Sequence, residues 1–140
     1  MRGVIFAILA SLVWGLAPVF FKIGLRSEVN NLLALMVHNL SAFLLAFVLY
    51  MLIDGSFRIG LRELTFLAMG GILSGFLGLF FFFEAVRHGK VSIVSPIAST
   101  SPLWSALFAF LILGEGLSFQ KLLGALLIVS GIVLLTLSRS

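Results

Sequence analysis

The stretch SIVSPIASTSPLW, residues Ser92 to Trp104, puts two prolines and five hydroxyl side chains (Ser92, Ser95, Ser99, Thr100 and Ser101) inside an apolar run. Proline removes a backbone donor and frees a carbonyl one turn back, and a buried hydroxyl without a partner costs free energy. A soluble core avoids that mixture, so the fold turns on which solvent surrounds the run. Over the whole chain, 61% of the 140 residues are hydrophobic and 10% are charged, with a mean hydropathy of +1.27. Ordinary soluble domains hold roughly 45–50% apolar and about 25% charged residues. The gap excludes a soluble domain and predicts an all-α integral membrane protein, a single domain over 1–140 whose charges must fit into short connections.

Charges and turn residues divide the chain into apolar runs at about Val4–Phe21, Leu32–Ile53, Leu64–Phe83, Val91–Leu113 and Leu122–Leu137. Each is close to the roughly 20 residues a helix needs to cross a bilayer. The runs are continuous rather than alternating, which excludes a β-barrel and predicts a five-helix bundle. The connections KIGLRSEVNN, DGSFRIGLRE, EAVRHGK and GEGLSFQK are short enough to make sequential helices antiparallel. The start, MRGVIFAILASLVWGLA, imitates a signal peptide. Four further runs follow it, and Trp14 and Pro18 form a motif, so it reads as the first span.

A net charge of +4 and a pI near 10.4 would suggest nucleic acid in a soluble protein. Here the basic residues come in ones and twos between apolar runs and read as anchors at the bilayer surface, with no nucleic-acid partner. With five spans the two ends lie on opposite sides. Arg2, Arg58, Arg62 and Lys121 then fall on one side, and Lys22, Arg26, Arg87, Lys90 and Arg139 on the other. Four against five is a weak bias under the positive-inside rule, which leaves insertion in both orientations open.

Several residues stand out against the apolar background. On a helix, Ser92, Ser95, Ser99 and Pro102 form one stripe and Ser101 with Ser105 a second edge. Pro96 and Pro102 loosen the carbonyls around Ser92 and Ala98, and such a broken helix is tolerated at membrane depth where it faces protein or water. It builds a substrate site in one reading, and in the other it is a kinked helix whose hydroxyls bond their own backbone. Trp14, Pro18 and Lys22 share a face of the first span, where Trp14 lines a cavity or simply packs. His38 and Asn39 lie inside the second span and read as bundle-facing polar groups, functional or hydrogen-bonded to backbone. Glu84 has Arg87 and His88 three and four residues on, spacing for a surface ion pair or for a carboxylate that couples protons or charge to transport. Gly71, Gly75 and Gly78, and Gly124 with Gly131, supply small residues for close helix contact.

No catalytic constellation, cofactor motif or metal set is present: there are five acids, two histidines and no cysteine, mostly at separate membrane edges. The expectation is a protein that is not an enzyme.

The segments SLVWGLAPVFFK and VSIVSPIASTSPLWSALFAFLILGEGLSFQKLLGALLIVSGIVLLTL resemble the EamA domain of the drug/metabolite transporter superfamily, over essentially the whole chain. Typical members carry two such five-helix units related as an inverted repeat and move small metabolites. The resemblance implies that this chain is one unit and that two copies make a transporter, a homodimer that the balanced charges would allow to be antiparallel. By carry-over, Trp14, Pro18 and Lys22 match the first-helix motif, and Ser95, Pro96, Ser99 and Pro102 the fourth-helix motif beside the central cavity. His38 stands where many relatives have arginine, and Glu84 where a neutral residue is usual.

The sequence therefore leads to a multi-pass secondary transporter, an exporter or exchanger of small metabolites in the cell membrane, working by alternating access. Substrate contacts are expected from Trp14, His38, Asn39, Ser95, Ser99 and Ser101, and helix breaks at Pro18, Pro96 and Pro102. The alternative is a non-transporting subunit of a heteromeric transporter or lipid flippase.

Overall fold

A computed structural model of the chain describes residues 2–116 and 118–137; Leu117, in the last connection, and Arg139, in the charge count, lie outside the described residues. The elements are α1 (Arg2–Gly24), α2 (Asn31–Ile53), α3 (Leu61–Gly71), a π-helical segment (Ile72–Gly78), α4 (Leu79–His88), α5 (Val91–Ala98), α6 (Ser101–Leu113) and α7 (Phe119–Leu137). They make five helical stretches long and apolar enough to cross a membrane: Arg2–Gly24, Asn31–Ile53, Leu61–His88, Val91–Leu113 and Phe119–Leu137. No strand occurs among the described residues.

Local chemistry explains where these stretches stop. Asn30 caps α2, its side-chain oxygen accepting from the Leu32 amide at 2.8 Å. Gly114 ends α6 in the left-handed region at φ 67°, a conformation glycine adopts without a Cβ clash. The third stretch runs beyond the expected end at Phe83, through Glu84 and Arg87 to His88, so most of EAVRHGK is helix rather than connection. Its last carbonyls have a partner: Lys22 Nζ donates to Val86 O at 2.7 Å and to Arg87 O at 3.3 Å. A cation on the exposed carbonyls at a helix C-terminus satisfies them and complements the dipole.

The prolines act differently from one another. The helix α1 continues through Pro18 and α5 through Pro96. Only Pro102 adjoins an interruption, the turn at Ser99–Thr100 between α5 and α6, which i→i+3 bonds tighten: Thr100 N to Ile97 O at 3.1 Å and Leu103 N to Thr100 O at 2.9 Å. Pro102 has no N–H to donate to Ala98 O, and in an unbroken helix its ring would clash with that carbonyl; at the start of α6 it is tolerated.

Contacts gather the chain into two units, Met1–Pro18 with Gly89–Ser140, and Val19–His88. In the second, α2 packs on α4 and on the π-helical segment, around the buried side chains of Leu25, Leu35, Phe83 and Val86. In the first, α5 packs on α7. Few residues of the five spans are buried, and most of their large apolar side chains are exposed. In lipid that surface carries little penalty. Backbone groups are satisfied within each helix, and helices associate through packing and polar ties rather than through exclusion of water.

Candidate functional site

Within Val19–His88, α2 and the third span are joined by two polar ties. At mid-helix, Asn39 Nδ2 donates to Leu35 O on its own helix at 3.0 Å and to Gly75 O in the π-helical segment at 2.9 Å. The absence of a side chain at Gly75 is what admits this approach, since a Cβ there would lie 3.1 Å from Asn39 Oδ1. Gly75 lies within the π-helical segment, whose i→i+5 bonding departs from the regular α-helical ladder.

At the end of the span, Arg87 makes the second tie. Its guanidinium donates from Nε to Asn31 Oδ1 at 3.1 Å, and also to Asn31 Oδ1 and to Val29 O from a terminal nitrogen. One cation thus binds the start of α2 and the chain entering it, while Lys22 holds the carbonyls of Val86 and Arg87. The sequence spacing left Arg87 or His88 to pair with Glu84. The structure gives Glu84 to His88, 3.3 Å apart, with the His88 side chain largely in solvent and that of Glu84 half-exposed. Exposed pairs of this kind contribute little, about 0.3–0.5 kcal/mol.

Between these ties lies His38. Its ring meets Phe21 edge-on with centroids 5.4 Å apart and Phe83 at 6.2 Å, and it lines an apolar cavity of about 300 Å³ with Phe20, Phe21, Val37 and Phe83. A single imidazole among phenylalanines can orient a small, largely apolar ligand.

The remaining candidates belong to the other unit. Trp14 stands on α1 and is 74% exposed. Ser95 lies on α5, Ser99 in the turn after it and Ser101 at the start of α6. The Ser99 hydroxyl donates to Ser95 O and that of Thr100 to Ile97 O, each at 2.9 Å, so these two bond their own backbone. The structure thus brings His38 and Asn39 onto α2 in one unit, and Trp14 and the serines into the other.

Three features escaped the sequence. The glycines of the third span read there as helix packing, whereas they also bound and fill the π-helical segment. The Arg87–Asn31 tie joins residues 56 positions apart, and only the presence of Asn30-Asn31 at a helix start hinted at a polar junction. Lys22 was assigned to a motif face, with nothing to indicate that it caps α4.

Five apolar helices joined by short polar connections, with polar ties inside the bundle, define a multi-pass all-α membrane protein. The EamA-like transporter family matches residues 1–137, and the chain belongs to that family as a single five-helix unit of the drug/metabolite transporter superfamily. It is 27% identical over 137 residues to an uncharacterised protein of Methanocaldococcus jannaschii, covering 98% of each chain. It is also 30% identical over 143 residues to the uncharacterised transporter YojE of Bacillus subtilis, covering 95% of this chain and 46% of that one. The chain therefore has the length of the first relative and about half that of the second. No solved structure matches it.

Proposed function

We propose that two copies of this five-helix unit form a secondary transporter of small metabolites that exports or exchanges its substrate across the cell membrane by alternating access. The observation that carries this reading is the interrupted fourth span. At Ser99–Thr100 the helix breaks inside a stretch that otherwise has the length and hydropathy to cross the membrane, and Ser95, Ser99 and Ser101 cluster around the break. Irregular backbone at that depth persists only where protein or water satisfies it, and in transporters such breaks supply the substrate site. Family membership supports transport. A relative in which a unit of this length is about half of the chain supports the pairing of two.

In this reading Ser95, Ser101 and Trp14 contact substrate, Pro102 holds the break open, and His38 presents its imidazole from the apolar cavity. Asn39 serves through the Gly75 tie, holding the third span in register while the helices around it move. The test is flux in vesicles holding the purified full chain, over a panel of amino acids, nucleosides, sugars and organic acids. Saturable uptake that Ser95→Ala reduces supports the proposal. A folded, vesicle-inserted protein inactive across the panel overturns it.

A further inference from the structure

The polar junction at the end of the third span encloses more than its own ties. A cleft of about 460 Å³ is lined there by Glu28, Asn31, Phe80, Glu84 and Arg87, among others. Asn31 is 92% buried, and its Nδ2 has no hydrogen-bond partner. Exchanging the amide's oxygen and nitrogen cannot relieve this, because Oδ1 is committed to two donors of Arg87. A buried donor left alone at the start of α2, where the helix dipole is also positive, calls for an acceptor or an anion.

The same cleft holds the opposite sign. Glu28 and Glu84 both line it, and Arg87, its one cation, already has protein acceptors on Nε and on one terminal nitrogen. Glu84 Oε2 faces His88, which leaves the carboxylate with further acceptor capacity. A second cleft of about 300 Å³ shares Glu28 and Arg87 with the first and adds Lys22 and Arg26. Donors and cations thus line the same two clefts as a pair of carboxylates. A lone anion would meet the glutamates, and a lone cation would leave the Asn31 amide unpaired.

From this we infer that the junction binds a zwitterion carrying a primary ammonium and a phosphate, with the ammonium on Glu28 and Glu84 and the phosphate towards Asn31 and the basic edge. The site does not depend on the transport reading and uses none of the serines around the broken helix. It lies where the first two spans are connected and the third ends, the level of lipid headgroups. The chemistry is that of an ethanolamine phospholipid headgroup or of free phosphoethanolamine.

The test is native mass spectrometry of the delipidated full chain in detergent, titrated with dihexanoyl phosphatidylethanolamine, phosphatidylcholine and phosphatidylglycerol. The ethanolamine lipid should bind roughly tenfold more tightly than the other two, since choline has no N–H for the carboxylates and glycerol no charge, and a charge-assisted hydrogen bond is worth about that ratio. Asn31→Asp keeps the oxygen that Arg87 needs but turns the lone donor into an acceptor, and should weaken all three lipids, since each brings a phosphate to it. Glu84→Gln, at a side chain 44% exposed, should remove the preference for ethanolamine without unfolding the chain, and reads the proposal by itself if Asn31→Asp does not fold. Competition by soluble phosphoethanolamine assigns the site to the free zwitterion, and retained lipid binding in its presence assigns it to the bilayer. Equal binding of all three lipids, stronger binding of phosphatidylglycerol, or an unchanged preference in Glu84→Gln overturns the inference.

Discussion

Arg87 concentrates more structure than any other polar side chain described. It binds Asn31 and Val29, and its own carbonyl accepts from Lys22. Its truncation strands the Asn31 oxygen and releases the entry to α2, and a hydrogen bond to a charged group is worth about 1.5–3 kcal/mol. Arg87→Ala is expected to lower stability by about that much, read as a shift in denaturant midpoint in detergent. Arg87→Lys should recover only part of the loss, because a single ammonium cannot reproduce a fork that grips Asn31 and Val29 together. Asn39 belongs to a milder class. Asn39→Leu removes the bond to Gly75, and interhelical bonds in membranes average about 0.6 kcal/mol, so the expected destabilisation is below about 2 kcal/mol in the same assay.

Among the helices, the fourth span carries the clearest consequence. Pro102→Ala supplies the N–H that proline lacks and removes the ring that would clash with Ala98 O in an unbroken helix. The turn between α5 and α6 should then close into one helix, and amide exchange from Ser99 to Leu103 should slow. On the transport reading, flux should fall several-fold while the protein stays at least as stable, a split that plain loss of folding would not give. The same substitution at Pro18 meets a helix that already continues through the residue. Pro18→Ala should therefore change exchange rates little beyond the first span.

For the molecule as a whole, most large apolar side chains of the spans are exposed, and lipid or a second copy can cover them equally well. On the proposed pairing of two copies, the balance of basic residues decides how they meet. Reporters active on only one side of the membrane, fused in separate experiments to the C-terminus, should both give signal if the chain inserts in two orientations. Signal from one alone rules out the antiparallel homodimer and directs attention to a parallel pair or a partner of opposite orientation. Adding two lysines to the connection holding Arg58, just before Arg62 in the first turn of α3, should collapse a dual signal to a single one, because orientation follows the sum of positive charge in and beside short connections.

Composition and run length alone settled the membrane, the number of spans and the helical class, because lipid leaves the backbone no other way to satisfy its bonds than helices once barrels are excluded. The family was legible too, through the resemblance carried by SLVWGLAPVFFK and by the segment holding Pro96, Pro102, Gly114-Glu115, Gly124 and Gly131. What the linear pattern could not carry is which polar groups meet. The partners of Arg87, the reach of Lys22 to the end of α4 and the meeting of Asn39 with Gly75 all join residues far apart in the chain. Each depends on where neighbouring helices come to rest. A hydrophobic pattern fixes which segments enter the membrane, whereas short-range, directional hydrogen bonds choose their partners only after the spans have packed.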